Sequence, residues 1–349
     1  MRKYINHMRL ILTFFVLIMF MTSCNKNVKQ DEVVDENHSA CLIVDTAGIN
    51  DLAFNYDAWN GLIRAKKHLN FKISYIESKS ESEYKDNLLK ATNDGYDIIF
   101  VVGYRLGPVL EEVASENPNQ YYAILDYEYE NTLSNVLAIN FKDHESSFLV
   151  ANLVAHMCNK PGIILGSDSD TINKFKFGFQ AGMHYAAKKL NKQVDFVTTI
   201  SNNFDDENLG AQLANELIQS GADVILPVAG NLAKGAITAA AKKNIYSIGI
   251  DGDLLDIERD HVLTSAMKLI GNAIYNICED VSSGNYIKGV SKSIGLKEGG
   301  VGFSSTTGHL IPKEIIDKTE GLISEIIEGK LHVPYNQSTY DEFIKTLSK

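Results

Sequence analysis

The chain has 349 residues and a net charge of −11, with 45% apolar and 22% charged residues. That length suits two lobes of about 150 residues each, and the apolar share is that of a globular chain rather than a disordered one. The acidic balance argues against nucleic acid or an anionic membrane surface as partner.

Met1 to Ser23 reads as a targeting segment. Arg2, Lys3 and Arg9 precede the apolar run LILTFFVLIMFM, about a dozen residues and too short to span a bilayer core of roughly 30 Å. The run stops at Met-Thr-Ser-Cys, and Cys24 resembles the lipidated first residue of mature bacterial lipoproteins; a plain cleaved signal is the alternative. Asn25 to Ser39 is polar, lacks an apolar period, and is expected to be a flexible tether. The other cysteines, Cys41, Cys158 and Cys278, are odd in number and lie in apolar stretches without a C-x-x-C or metal spacing. Buried, inert thiols are expected, with no metal and no cofactor.

The stretch Ala40 to Gly61, ACLIVDTAGINDLAFNYDAWNG, reads as strand, loop and helix start, with Asp45 closing the strand. The helix continues to Leu69, with Trp59 expected on its inner face. FKISYIE (71–77) alternates as a strand and Glu81 to Asn93 has helical spacing. DIIFVVG (97–103) is a continuous apolar strand, as expected for one covered on both faces. A helix over 108–114, a strand ending at Asp126 and the strand NVLAINF (135–141) complete a β-α-β-α-β-α-β array.

After a helix over 144–158 the pattern restarts. Strands are predicted at 162–166, 193–200, 223–230 and 246–251, with helices at 171–190, 208–220 and 232–243 between them. HVLTSAMK (261–268), a helix over 269–283, the Gly-rich GLKEGGVGF (295–303) and a helix over 313–329 follow. Two similar doubly wound lobes without a Gly-rich phosphate fingerprint predict a hinged binding protein. Crossings between lobes are expected near Phe141, Gly252 and Leu296. The first lobe then comprises 40–142 with about 253–295, the second 143–252 with about 296–335, and 336–349 forms a surface tail.

In such sheets ligands bind beyond the carboxyl ends of the strands. Asp45, Asp126, Gly230 and Asp251 close strands, Phe54 and Asn55 open a helix after the first one, Phe204 lies in the polar loop SNNFDDEN, and Lys268 sits at a strand-to-helix junction. Carboxylates that accept from vicinal hydroxyls make strong charge-assisted bonds. Aromatic faces contribute about 1–3 kcal/mol per stacked base. Two such faces leave several of the roughly 8 kcal/mol of a micromolar ligand to the polar groups. Singly, an Asp at a strand end is more often a cap or turn residue, and Asp205, Asp206 and Glu207 fit a solvated helix start. No nucleophile elbow or Cys–His arrangement is present, so an enzyme is not expected.

The stretches VDTAGINDLAFNYDAWNG, VVGYRLGPVLEEVASENPNQYYAILD, FKDHESSFLVANLVA, FKFGFQAGMHYA, ADVILPVAGNLAKGA, IGIDGD, VLTSAMK and GLKEGGVGF together resemble the basic membrane protein family of bacterial lipoproteins. The resemblance implies a type I periplasmic-binding-protein-like α/β fold: two Rossmann-like lobes joined by a three-crossover hinge. It implies a nucleoside ligand, with a purine base expected, held between Phe54 and Phe204. Asp45, Asp126, Asp251 and Lys268 would make the polar contacts, Gly230 would allow close backbone approach, and Asn55 completes the family's F-N pair. It further implies an ABC-type permease as partner and a lipid anchor on Cys24 in the bacterial cell envelope, at the inner membrane facing the periplasm or at the outer surface. Because the family includes surface antigens, a surface lipoprotein acting in adhesion is the second reading.

Overall fold

Strand β1 (His38–Val44) is buried from Ala40 onward and lies at the centre of the first sheet, between β2 and β3. The computed structural model describes residues 38–51 and 53–348. Cys24 and almost all of the expected tether lie outside them, although His38 and Ser39 already belong to β1. Helix α1 (Phe54–Leu69), β2 (Phe71–Glu77), α2 (Tyr84–Asp94), β3 (Ile98–Val102), α3 (Gly107–Glu116), β4 (Tyr122–Leu125) and β5 (Val136–Phe141) follow in alternation. The second half begins with α4 (Asp143–Val154), β6 (Pro161–Leu165), α5 (Asp170–Leu190), β7 (Val197–Ile200) and α6 (Glu207–Gln219). It continues through β8 (Val224–Val228), α7 (Leu232–Ala241), β9 (Tyr246–Asp251) and β10 (Val262–Lys268). The last elements are α8 (Ile270–Ser282), β11 (Val290–Ile294), β12 (Val301–Phe303), α9 (Lys313–Ile327) and α10 (Gln337–Leu347).

Two six-stranded sheets result, ordered β11-β5-β4-β3-β1-β2 and β12-β10-β9-β8-β6-β7. Every pairing among the described strands is parallel except β10 with β12. Strands β1, β3, β6 and β8 are apolar and buried at almost every position, because helices cover both of their faces. The fold is therefore two doubly wound α/β lobes, each with ligand-facing loops at the carboxyl ends of its strands.

The chain passes from one sheet to the other three times: after β5, after β10, and between β11 and β12. These segments are bonded side by side. Lys142 N donates to Ile294 O (2.9 Å), Leu269 N to Gly300 O (2.9 Å), and Leu296 N to Glu145 Oε2 (2.7 Å). One boundary differs from the sequence expectation. The second crossing lies at Leu269, not near Gly252, so 253–268 belongs with the second sheet. The cause is local. The ten residues after β9 hold a single short 3₁₀ turn (Leu255–Ile257) in place of a crossover helix, and β10 pairs directly with β9. Strand β11 and helix α10 are further differences: β11 is a short edge strand without a buried residue, and α10 repeats Tyr340, Phe343, Ile344 and Leu347 at helical spacing where a surface tail was expected. Helix α10 packs on α5, where Tyr340 meets Phe177, and its Phe343 meets Phe148 of α4 edge-on.

After β10 the chain returns to the first lobe because α8 docks on α1 at two glycines. A Cβ on Gly61 would lie 2.5 Å from Gly271 O, and one on Gly271 would lie 2.4 Å from Asp57 O. The Gly271 N–H donates to Asp57 Oδ2 at 2.8 Å, locking the crossing. Trp59 is half-buried at this lobe's surface and meets Tyr75 edge-on at 5.0 Å. Cys41, Cys158 and Cys278 are free and buried, and burial pushes the Cys41 thiol up to about 11 and the Cys158 thiol up to about 12. At neutral pH they are inert packing groups.

Candidate functional site

A cleft between the carboxyl ends of the two sheets encloses about 640 Å³ of empty space, counting what opens to solvent at its mouth. The eight residues singled out from the sequence as ligand contacts all border it. Asp45, Phe54, Asn55 and Asp126 come from the first lobe; Phe204, Gly230, Asp251 and Lys268 come from the second.

Phe54 is the first residue of α1, and the loop before it fixes where its ring goes. Asp51 accepts from the backbone N–H groups of Ala53 (3.1 Å), Asn55 (2.8 Å) and Tyr56 (3.0 Å). One carboxylate thus satisfies two donors of the first turn and that of the N-cap residue Ala53, and burial pushes its own carboxyl above the usual range. Replacing Asp51 by alanine is expected to cost about 1–2 kcal/mol in a urea titration, the loss typical of a helix-capping side chain.

Phe204 is placed differently. Its loop follows β7, and its ring lies against the glycine after β6: a Cβ on Gly166 would sit 2.3 Å from Phe204 Cε1. Its carbonyl accepts from Leu232 N at 3.1 Å. Gly230, at φ +49°, lets that carbonyl come within 2.9 Å of where a Cβ would be. The close approach expected at Gly230 therefore involves the Phe204 backbone itself. Tyr104 meets the Phe204 ring edge-on at 6.5 Å from the other lobe.

The polar heart of the cleft is Lys268, only 3% exposed. Its Nζ lies 2.8 Å from Asp126 Oδ1, 3.4 Å from Asp143 Oδ2 and 3.8 Å from Asp251 Oδ1. The rings of Phe54, Phe141 and Phe175 stand 5.3, 5.6 and 5.3 Å from the ammonium, a cation–π surround. Asp126 (φ +70°) and Asp251 (φ +62°) both adopt the left-handed conformation at their strand ends. Neither residue caps a helix; the turn instead directs each carboxylate toward Lys268. Burial works against the Lys268 charge, but the three carboxylates outweigh it and hold the ammonium above its ordinary range. Burial pushes Asp251 up to about 7 and Asp143 up to about 6, with Lys268 pulling both back only partly. Asp143, fully buried at the start of α4, was not among the sequence candidates. No strand end marks it, and its role depends on a contact 125 positions along the chain.

Arg105 was missed as well. It follows the β3 strand-end Gly103-Tyr104, donates to Asp45 Oδ2 (3.0 Å) and Glu81 Oε1 (3.2 Å), and stands 5.6 Å from the Phe204 ring centroid. The Gly-Tyr-Arg ending of an apolar strand was the available signal.

The site lies in a fold whose relatives bind solutes. Residues 39–337 match the Bmp family, described as ABC transporter substrate-binding protein, PnrA-like. The chain belongs to this family. "Basic membrane protein A1" of Borrelia garinii subsp. bavariensis is 30% identical, covering 96% of this chain and 98% of that one. An "ABC transporter nucleoside-binding protein BmpA" of Lactococcus lactis subsp. cremoris is 30% identical over 84% of this chain and 88% of its own length. Among solved structures, an ABC transporter solute-binding protein of Aeropyrum pernix K1 superposes with a TM-score of 0.77 at 28% identity, covering 89% of this chain and 97% of that chain. The Bmp fold is thus that of a type I periplasmic solute-binding protein. Substrate-binding proteins of this family work outside the cytoplasm, and no helix among the described residues is long and apolar enough to cross a membrane.

Proposed function

We propose that this Bmp-family protein is a lipid-anchored receptor that captures a nucleoside, with a purine base expected, and hands it to an ABC-type permease. The observation that carries the reading is the chemistry of the cleft. Two phenylalanines from opposite lobes border the same space as a lysine–carboxylate cluster suited to vicinal hydroxyls. The base would stack on Phe54 and Phe204, and the ribose hydroxyls would donate to Asp126 and Asp251 while accepting from Lys268. A ligand gripped by both lobes binds the closed form better than the open one, and that differential affinity drives closure. The printed name of the Lactococcus relative supports a nucleoside. The anchor rests on the Met-Thr-Ser-Cys ending at Cys24, outside the described residues.

Calorimetric titration of the full-length protein in detergent with inosine, guanosine and adenosine tests the reading. Heat of binding and a rise in melting temperature with one of them are expected; no response to any nucleoside would reject it. Affinity is expected to fall as pH drops through 7, because Asp251 takes up a proton near there and loses its acceptor charge.

A further inference from the structure

Asp45 is a poor candidate for a major ligand contact, because the protein already occupies most of it. Of about four acceptor positions on a carboxylate, Oδ1 receives Ala47 N (3.1 Å) and Asn55 Nδ2 (2.9 Å), and Oδ2 receives Arg105 (3.0 Å). Asp45 works instead as a bracket that holds Asn55 on one oxygen and Arg105 on the other.

The two residues so held have complementary free capacity. Asn55 Nδ2 faces two groups that can only accept, Asp45 Oδ1 and Gly48 O (3.1 Å), so the amide has one possible orientation. Its Oδ1 is then left buried, on a fully buried side chain bordering the cleft, without a partner among the described residues. A buried acceptor in that state calls for a donor. Arg105 has the reverse surplus. Of its five N–H donors, one goes to Glu81, one to Asp45 and one to Thr46. That leaves two on a guanidinium that also borders the cleft beside Phe204.

We infer that Arg105 is a specificity-determining residue: with Asn55 Oδ1 it reads the polar edge of the stacked ring as a lactam. This inference rests on the nucleoside reading above. A ring oxo group would accept from Arg105, and the neighbouring ring N–H would donate to Asn55 Oδ1. Guanine and hypoxanthine both present that acceptor–donor pair. Adenine presents the reverse, an amine toward the guanidinium and an unprotonated ring nitrogen toward the amide oxygen. Two donors and then two acceptors would face each other.

The test is a ligand series on the unaltered full-length protein by calorimetry, joined by Arg105→Met. Guanosine and inosine are expected to bind at least about tenfold more tightly than adenosine, and 1-methylinosine, which lacks the ring N–H, at least about tenfold more weakly than inosine. In Arg105→Met the inosine-to-adenosine ratio is expected to fall to within about threefold, because the donor that recognises the oxo group is gone. Adenosine binding as tightly as inosine, or an unchanged ratio in a folded Arg105→Met, overturns the inference while leaving nucleoside binding intact. Silence toward the whole series is the separate result that overturns the nucleoside reading and this one with it. Because the ligand series uses the unaltered chain, the outcome stands even where the variant does not fold.

Discussion

Replacing Lys268 by methionine is expected to lower the unfolding free energy by about 3–5 kcal/mol near pH 7.5, the usual consequence of removing one partner from a buried ion cluster. The side chain volume is nearly kept, so the loss is electrostatic. Asp126, Asp143 and Asp251 would remain together, only 4% exposed or less at the first two, without the ammonium that neutralises part of their charge. The pH dependence separates this cause from a packing defect. With Lys268 present, Asp143 and Asp251 are raised from 3.8 to about 6 and about 7. Between about pH 4 and 7 the folded state therefore holds more protons than the unfolded one. The stability these two groups give is fully present below pH 3.8 and is lost as pH rises through 6 to 7. Removing the cation pushes both carboxyls higher still, so the deficit of Lys268→Met should shrink as pH falls from 8 to 5. A deficit constant across that range, in denaturant titrations at each pH, would mean that the lysine acts through its methylene stem alone.

The cleft shows why some of its lining could be read from the sequence and some could not. An apolar strand ending in a carboxylate is a local pattern, and Asp45, Asp126 and Asp251 carry it. Asp143 does not: it opens a helix in which nearly every side chain is buried, so nothing in its neighbourhood distinguishes a cluster member from a helix-start acid. Arg105 reads locally as a surface charge, and only the fold brings it to Asp45, 60 positions away. The alternation of strands and helices was legible because parallel strands covered on both faces leave long apolar runs, as in IIFVV and VILPV. The second crossing was not, since a crossover is recognised from sequence by its helix, and β9 and β10 are joined by a 3₁₀ turn. What returns the chain to the first lobe is the fit of Gly61 against Gly271, two residues whose small size announces nothing until the helices meet.

Phe204→Ala is expected to weaken nucleoside binding by more than tenfold, since a stacked base contributes about 1–3 kcal/mol. Gly166→Ala should reach much of the same loss without touching the ring. The new methyl would overlap Phe204 Cε1 at 2.3 Å, and neither backbone can yield easily. Gly166 N is bonded to Val228 O at 2.8 Å inside the sheet, and Phe204 O is bonded to Leu232 N at 3.1 Å. Only the ring is free to swing, and swinging takes it off the position from which it faces the cleft. The two substitutions should therefore couple. In a Phe204→Ala background there is no ring to displace, so adding Gly166→Ala should cost almost nothing further in affinity, a departure from additivity readable by calorimetry. Additive losses would show that Gly166 acts on the ligand directly, and that the ring is held in place by something other than the missing Cβ.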